Sequence, residues 1–125
     1  MPPITTILVV DDEFGNAEVL SVILEEAGYR VYQASNGAEG LRRAEELRPD
    51  IVLADFMMPV LNGADMAKAL RAGQDGHKLK IVMNSSLSES VIRKHFDGYD
   101  AFMQKPFDVE KLLAIIRRLS GRATS

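Results

Sequence analysis

Ile51-Val52-Leu53-Ala54-Asp55 runs apolar for four residues and then stops on a carboxylate. An unbroken apolar run of this length reads as a strand covered on both faces, as in a parallel sheet. Phe56-Met57-Met58-Pro59 follows, and Asn62-Gly63 signals a turn. Asp55 is thereby placed at the carboxyl end of a central strand, where open α/β sheets carry their chemistry.

Working outward, Ile7-Leu8-Val9-Val10 is a second buried strand that ends on Asp11-Asp12-Glu13. Residues 30–34 form a shorter strand, residues 80–84 a fourth centred on Ile81-Val82-Met83, and residues 101–104 a fifth that runs into Lys105-Pro106. Helical stripes separate them. Val19, Leu20, Ile23, Leu24 and Ala27 form the first, stopped by Gly28. Ala38, Leu41, Ala44 and Leu47 form the second, stopped by Pro49. Met66, Ala67 and Leu70 mark a third that ends near residues 73–76. Leu87, Val91, Ile92 and Phe96 mark a fourth closed by Gly98. Val109, Leu112, Leu113, Ile116 and Leu119 mark the last, with Asp108 as its N-cap and Gly121 as its stop. Five strands alternating with five helices predict an α/β domain, a parallel sheet covered on both faces by right-handed crossovers. Strands one, three, four and five lead into Asp11, Asp55, Ser85 and Lys105, and a parallel sheet sets those four ends on one edge.

Composition bounds the function. The 125 residues make one ordinary domain, 1–125 with a core of about 5–120. Without cysteine there is no disulfide, thiol nucleophile or Cys-based zinc site. A net charge of -3 and a pI near 5.4 argue against direct nucleic-acid binding. No apolar run approaches the ~20 residues of a membrane span, and Met1-Pro2-Pro3 lacks signal-peptide character, so a cytoplasmic, membrane-free protein is expected. His77 and His95 have no metal-ligand spacing and read as structural or solvated.

Taken singly, the polar residues have ordinary readings. Asp11 or Asp12 would cap the first helix, Asp55 would be a turn residue, Ser85 or Ser86 would cap the fourth helix, and Lys105 would be a surface lysine. Together they make a site. Carboxylates 4 Å apart repel by about 4 kcal/mol at an effective dielectric of 20. Such a cluster must protonate or hold a cation, and all-oxygen donors suit Mg²⁺ or Mn²⁺. The charges of three carboxylates, a divalent ion and Lys105 sum to zero. A carboxylate so neutralised can attack a phosphoryl group.

Asp11-Asp12, Asp55, Ser85 and Lys105-Pro106-Phe107 resemble the signature of response regulator receiver domains of two-component signalling, single-domain chemotaxis regulators included, over roughly residues 5–120. The resemblance implies a doubly wound, flavodoxin-like (βα)5 fold with strand order 2-1-3-4-5. It casts Asp55 as the phosphoacceptor for a histidine kinase or histidine phosphotransfer protein. Asp12, Asp55 and the backbone carbonyl of Met57 become the direct Mg²⁺ ligands, with Mn²⁺ able to substitute, and Asp11 a ligand through water. Lys105 would bind the phosphoryl group, with a cis bond to Pro106. Ser85 and Phe102 would be the switch hydroxyl and switch aromatic that repack helix four, strand five and helix five for a phosphorylation-dependent target. Such a domain is not an enzyme beyond its own phosphorylation and dephosphorylation. It acts as an adaptor, as a phosphorelay intermediate, or as the receiver of a hybrid kinase or multidomain regulator. Met57 and Leu87 are apolar where many family members are polar, and Gly98-Tyr99-Asp100-Ala101 is unusual before strand five.

Two other functions compete. A flavodoxin-like cofactor binder needs a phosphate loop rich in Ser, Thr and Gly after strand one, where Asp11-Asp12-Glu13 would repel phosphate. An aspartyl phosphatase places an acid/base Asp two residues after its nucleophile, where this chain has Met57.

Overall fold

The computed structural model describes residues 4–58, 60–73, 76 and 78–121. Strands and helices alternate as β1 (Thr6–Val10), α1 (Phe14–Glu26), β2 (Arg30–Ala34), α2 (Gly37–Leu47), β3 (Ile51–Asp55), α3 (Gly63–Ala72), β4 (Lys80–Ser85), α4 (Glu89–His95), β5 (Ala101–Gln104) and α5 (Val109–Ser120). All pairings are parallel, in the order β2-β1-β3-β4-β5. The α/β fold class and the strand order are as expected.

β3 is buried at every position because successive side chains enter opposite layers. Val52 and Ala54 join Leu8, Val10, Ile81 and Met83 against α2, α3 and α4. Ile51 and Leu53 join Ile7, Val9, Val82 and Met103 against α1 and α5. The same alternation carries Asp11, Asp55 and Asn84 onto the α1/α5 side of the sheet, and Ser85 onto the α4 side.

Local signals explain most boundaries. Asn36 and Asn62 cap α2 and α3, accepting the Glu39 and Asp65 backbone N–H at 2.8 Å each. Asp108 caps α5 by accepting from Glu110 and Lys111. Gly28 and Gly121 take the left-handed conformation just past α1 and α5. Gly63 has a different reason: a Cβ there would lie 2.5 Å from the Asp55 carbonyl oxygen. Only glycine lets the chain return so close beneath the end of β3.

The single-residue reading of Asp11 or Asp12 as the α1 cap falls away, because that position belongs to Glu13, whose side chain makes no cap hydrogen bond. Asp11 instead accepts the Glu13 N–H at 2.9 Å, which turns its carboxylate back over the strand end. Helix α4 stops at His95, because Phe96 adopts extended backbone (φ -164°, ψ 124°) and packs its ring with the core. Leu87 lies before that helix, in the loop from β4.

Candidate functional site

The carboxyl ends of β1, β3 and β5 converge. One carboxylate oxygen from each of Asp11, Asp12 and Asp55 lies within 4.8 Å of the others. Lys105 leaves β5 and brings its Nζ to 3.3 Å from Asp55 Oδ2 and 3.8 Å from Asp11 Oδ2. The Lys105-Pro106 bond is cis. Asp55 and Asp11 are only 6% and 2% exposed, whereas Asp12 is exposed. Asp11, Asp55 and Lys105, three of the four strand-end residues set on one edge of the sheet, are therefore one cluster, joined by Asp12.

Burial dominates the electrostatics. It pushes the Asp55 carboxyl above the usual carboxylate range; Asp11 adds to the rise, while Lys105 and the Met57 backbone N–H oppose it. Asp11 is raised as well, again chiefly by burial, against the Glu13 N–H and Lys105. One ammonium does not compensate three carboxylates. The donor set is all oxygen, partly open through Asp12, and short of positive charge, so it fits a hard divalent cation.

Around this cluster sit the remaining expected residues. Ser85 is fully buried and its Oγ accepts the Leu87 N–H at 3.0 Å, so its own proton is left to donate. The Ser85 carbonyl accepts the Lys105 N–H at 2.8 Å, tying the end of β4 to the lysine. Met57 is 59% exposed on the loop leaving β3, and Leu87 is partly exposed on the loop from β4. Phe102 is half-buried against the α4 layer, its ring 6.3 Å from that of Tyr99. His95 rests its ring 5.3 Å from that of Phe56 and is not among the residues of the acidic cluster. His77 lies outside the described residues.

This geometry has close relatives. A family model described as the response regulator receiver domain matches residues 7–117. The chain belongs to that family. Among curated relatives, this receiver domain is 35% identical over 118 residues to the DNA-binding dual master transcriptional regulator RpaA of Synechocystis, covering 93% of this chain and 49% of that protein. It is 36% identical over 113 residues to the DNA-binding response regulator MtrA of Mycobacterium tuberculosis, covering 89% and 48%. The receiver domain thus spans about half the length of these relatives. Chemotaxis protein CheY4 of Vibrio cholerae superposes with a TM-score of 0.88 at 29% identity, covering 94% of this chain and 99% of that one. The receiver domain of sensor histidine kinase PA1611 from Pseudomonas aeruginosa, solved with a magnesium ion in its active-site cleft, gives 0.88 at 30% identity, covering 95% and 99%.

Sequence reasoning missed three features of this receiver domain. Arg71, at the end of α3, donates to the Gly98, Gly76 and Leu79 carbonyls and pairs with Asp100 at 2.7 Å. Asp100 also accepts the Ile81 N–H at 2.8 Å, so the odd segment before β5 is clasped from α3. Tyr99 donates to Glu89 at 2.6 Å and accepts from Arg93 at 3.1 Å, joining that segment to α4. Asn84, a polar residue inside a buried strand, is the third; the break it makes in Ile81-Val82-Met83 was the available signal.

Proposed function

We propose that this receiver domain accepts a phosphoryl group on Asp55 from the phosphohistidine of a histidine kinase or histidine phosphotransfer protein, in a Mg²⁺-dependent reaction. The observation that supports it is the cluster itself, a buried carboxylate beside one ammonium and two further carboxylates at the end of the central strand. Asp12, Asp55 and the Met57 carbonyl would hold Mg²⁺ or Mn²⁺ directly, and Asp11 through water. When bound, the cation supplies charge neutralisation of the attacking carboxylate and of the phosphoryl oxygens.

Asp55 Oδ forms the new P–O bond as the donor's P–N bond breaks, and the imidazole keeps the electron pair. Lys105 takes charge on one phosphoryl oxygen. Ser85 turns its free proton to another, drawing in the loop that carries Leu87. The acyl phosphate carries about two negative charges where the carboxylate carried one. That local change biases two packings of Phe102 and the α4-β5-α5 face, and the phosphorylated packing binds a target protein. The domain, read as one unit over 1–125 with its core at about 5–120, catalyses no reaction but its own phosphorylation and dephosphorylation. A second reading, a receiver within a hybrid kinase or a relay, draws on the likeness to the receiver domain of a sensor histidine kinase.

Incubation with a small phosphodonor and Mg²⁺ tests the proposal by intact-mass and peptide mapping. One phosphoryl group per chain at Asp55, absent with chelator and absent in Asp55→Ala, is the expected result. Labelling that persists in Asp55→Ala overturns it.

A further inference from the structure

β4 stands between β3 and β5, yet Lys105, just past β5, reaches Asp55 at the end of β3 and Asp11 beyond β1. Adjacent strands are about 4.8 Å apart, so the lysine stem must cross the end of β4 on the α1/α5 side. The β4 residue on that side is Asn84, paired in register with Asp55 on one flank and Met103 on the other. Its neighbour Ser85 faces the opposite layer. Asn84 is 2% exposed, and its Oδ1 has no hydrogen-bond partner among the described residues. A buried acceptor left unpaired is destabilising, and an apolar residue continuing Ile81-Val82-Met83 would avoid the cost. Lys105 is the complementary case. Its ammonium has three donors and two carboxylate neighbours, both farther than the ~2.8 Å of a charge-assisted hydrogen bond.

We propose that Asn84 is a positioning residue for Lys105, its side-chain oxygen accepting an ammonium N–H when Lys105 turns to a phosphoryl group on Asp55. The inference rests on Asp55 being the phosphoacceptor. In the unmodified protein the two carboxylates compete for the ammonium and Asn84 is left over. Once a phosphoryl oxygen takes one donor, Asn84 takes another from below. The stem is then held across β4 and the third donor is left for Asp11. Asn84 acts only through the lysine and does not touch the transferred group.

A double-mutant cycle tests this. The rate of Asp55 labelling by phosphoramidate in Mg²⁺ is measured for the wild type, Asn84→Leu, Lys105→Met and the double variant. In this reaction the P–N bond breaks, the P–O bond to Asp55 forms and protonated ammonia leaves. Asn84→Leu should slow labelling about tenfold when Lys105 is present, the order of one hydrogen bond to a charged group. It should change the rate less than twofold in the Lys105→Met background. Asn84→Thr, which keeps an acceptor, should recover much of the rate. An equal slowing in both backgrounds reports packing alone and overturns the proposal, as does unchanged labelling in Asn84→Leu. Should Asn84→Leu not fold, Asn84→Val carries the same cycle. A wild type that takes no label at Asp55 refutes the phosphoacceptor reading itself, an outcome distinct from either of these.

Discussion

Asp55→Asn should stabilise this protein in the absence of divalent cations, although it removes a residue that forms an ion pair. At an effective dielectric of 20, Lys105 at 3.3 Å attracts the Asp55 carboxylate by about 5 kcal/mol. A carboxylate no more than 4.8 Å away repels it by about 3.5 kcal/mol or more on the same scale. Two such carboxylates face Asp55, and the Lys105 ammonium is shared with Asp11. Desolvation adds to the unfavourable side, since the Asp55 side chain is almost wholly buried. A neutral amide of the same shape escapes both penalties, and the net gain is about 1–3 kcal/mol once Asp12, which is exposed, is discounted for screening. In a domain of this size that is a rise in Tm of roughly 5 °C. Thermal unfolding at pH 7 with chelator reads it directly. The sign with pH follows from the raised carboxyls. Their folded values lie above the unfolded ones, so each ionised group weakens the fold above its folded pKa. That penalty fades as pH falls through the window down to the unfolded value of about 3.9. The advantage of Asp55→Asn should therefore shrink on acidification toward pH 4. It should also shrink in Mg²⁺, which offsets the repulsion only where Asp55 is present. A lower Tm for Asp55→Asn in chelator at pH 7 would show that the cluster is not short of positive charge.

Other outcomes follow from single contacts. Arg71→Ala strands three carbonyls and the Asp100 carboxylate, the latter about a quarter exposed, and should cost about 2 kcal/mol in urea unfolding; Arg71→Lys, lacking the planar fork, should recover little. Met57→Asn and Leu87→Glu should speed loss of the acyl phosphate in Mg²⁺, measured by decay of labelled protein, because exposed apolar side chains there hinder an attacking water. Unchanged decay in both variants removes that explanation. Tyr99→Phe keeps the ring contacts with Phe96 and Phe102 but loses the bond to Glu89, and should raise amide exchange in α4 while costing about 1 kcal/mol.

β1 and β3 were legible because buried parallel strands demand unbroken apolar runs, and both runs end abruptly at the edge that carries the acidic cluster. Asp11, Asp12, Asp55 and Lys105 could be set together from topology, since the ends of β1, β3 and β5 share that edge. Their local behaviour could not. Asp11 next to a helix start looks like a cap by every short-range rule, and the structure adds that it instead accepts the Glu13 N–H. The length of α4 escaped for a related reason: Phe96 fits the helical period, but burying its ring beside Tyr99 requires extended backbone. Arg71 and Asp100 are 29 residues apart, and no periodicity links an arginine at a helix end to an aspartate in a loop. Asn84 was readable as an anomaly in a strand, though its neighbourhood was not. Val60, left-handed at φ 71° and 84% exposed, had no signal at all, because a β-branched residue is among the last expected in that conformation.

The Arg71 clasp has a mechanical consequence. It anchors the end of α3 and the approach to β5 to the same guanidinium, making that corner of the molecule a rigid abutment. α4, packed on the same face of the sheet as α3, is seven residues long with no side-chain bond at its N-cap. Tyr99 of the clasped segment bonds its Glu89 and Arg93, so the corner held by Arg71 is coupled to α4 through a single hydroxyl.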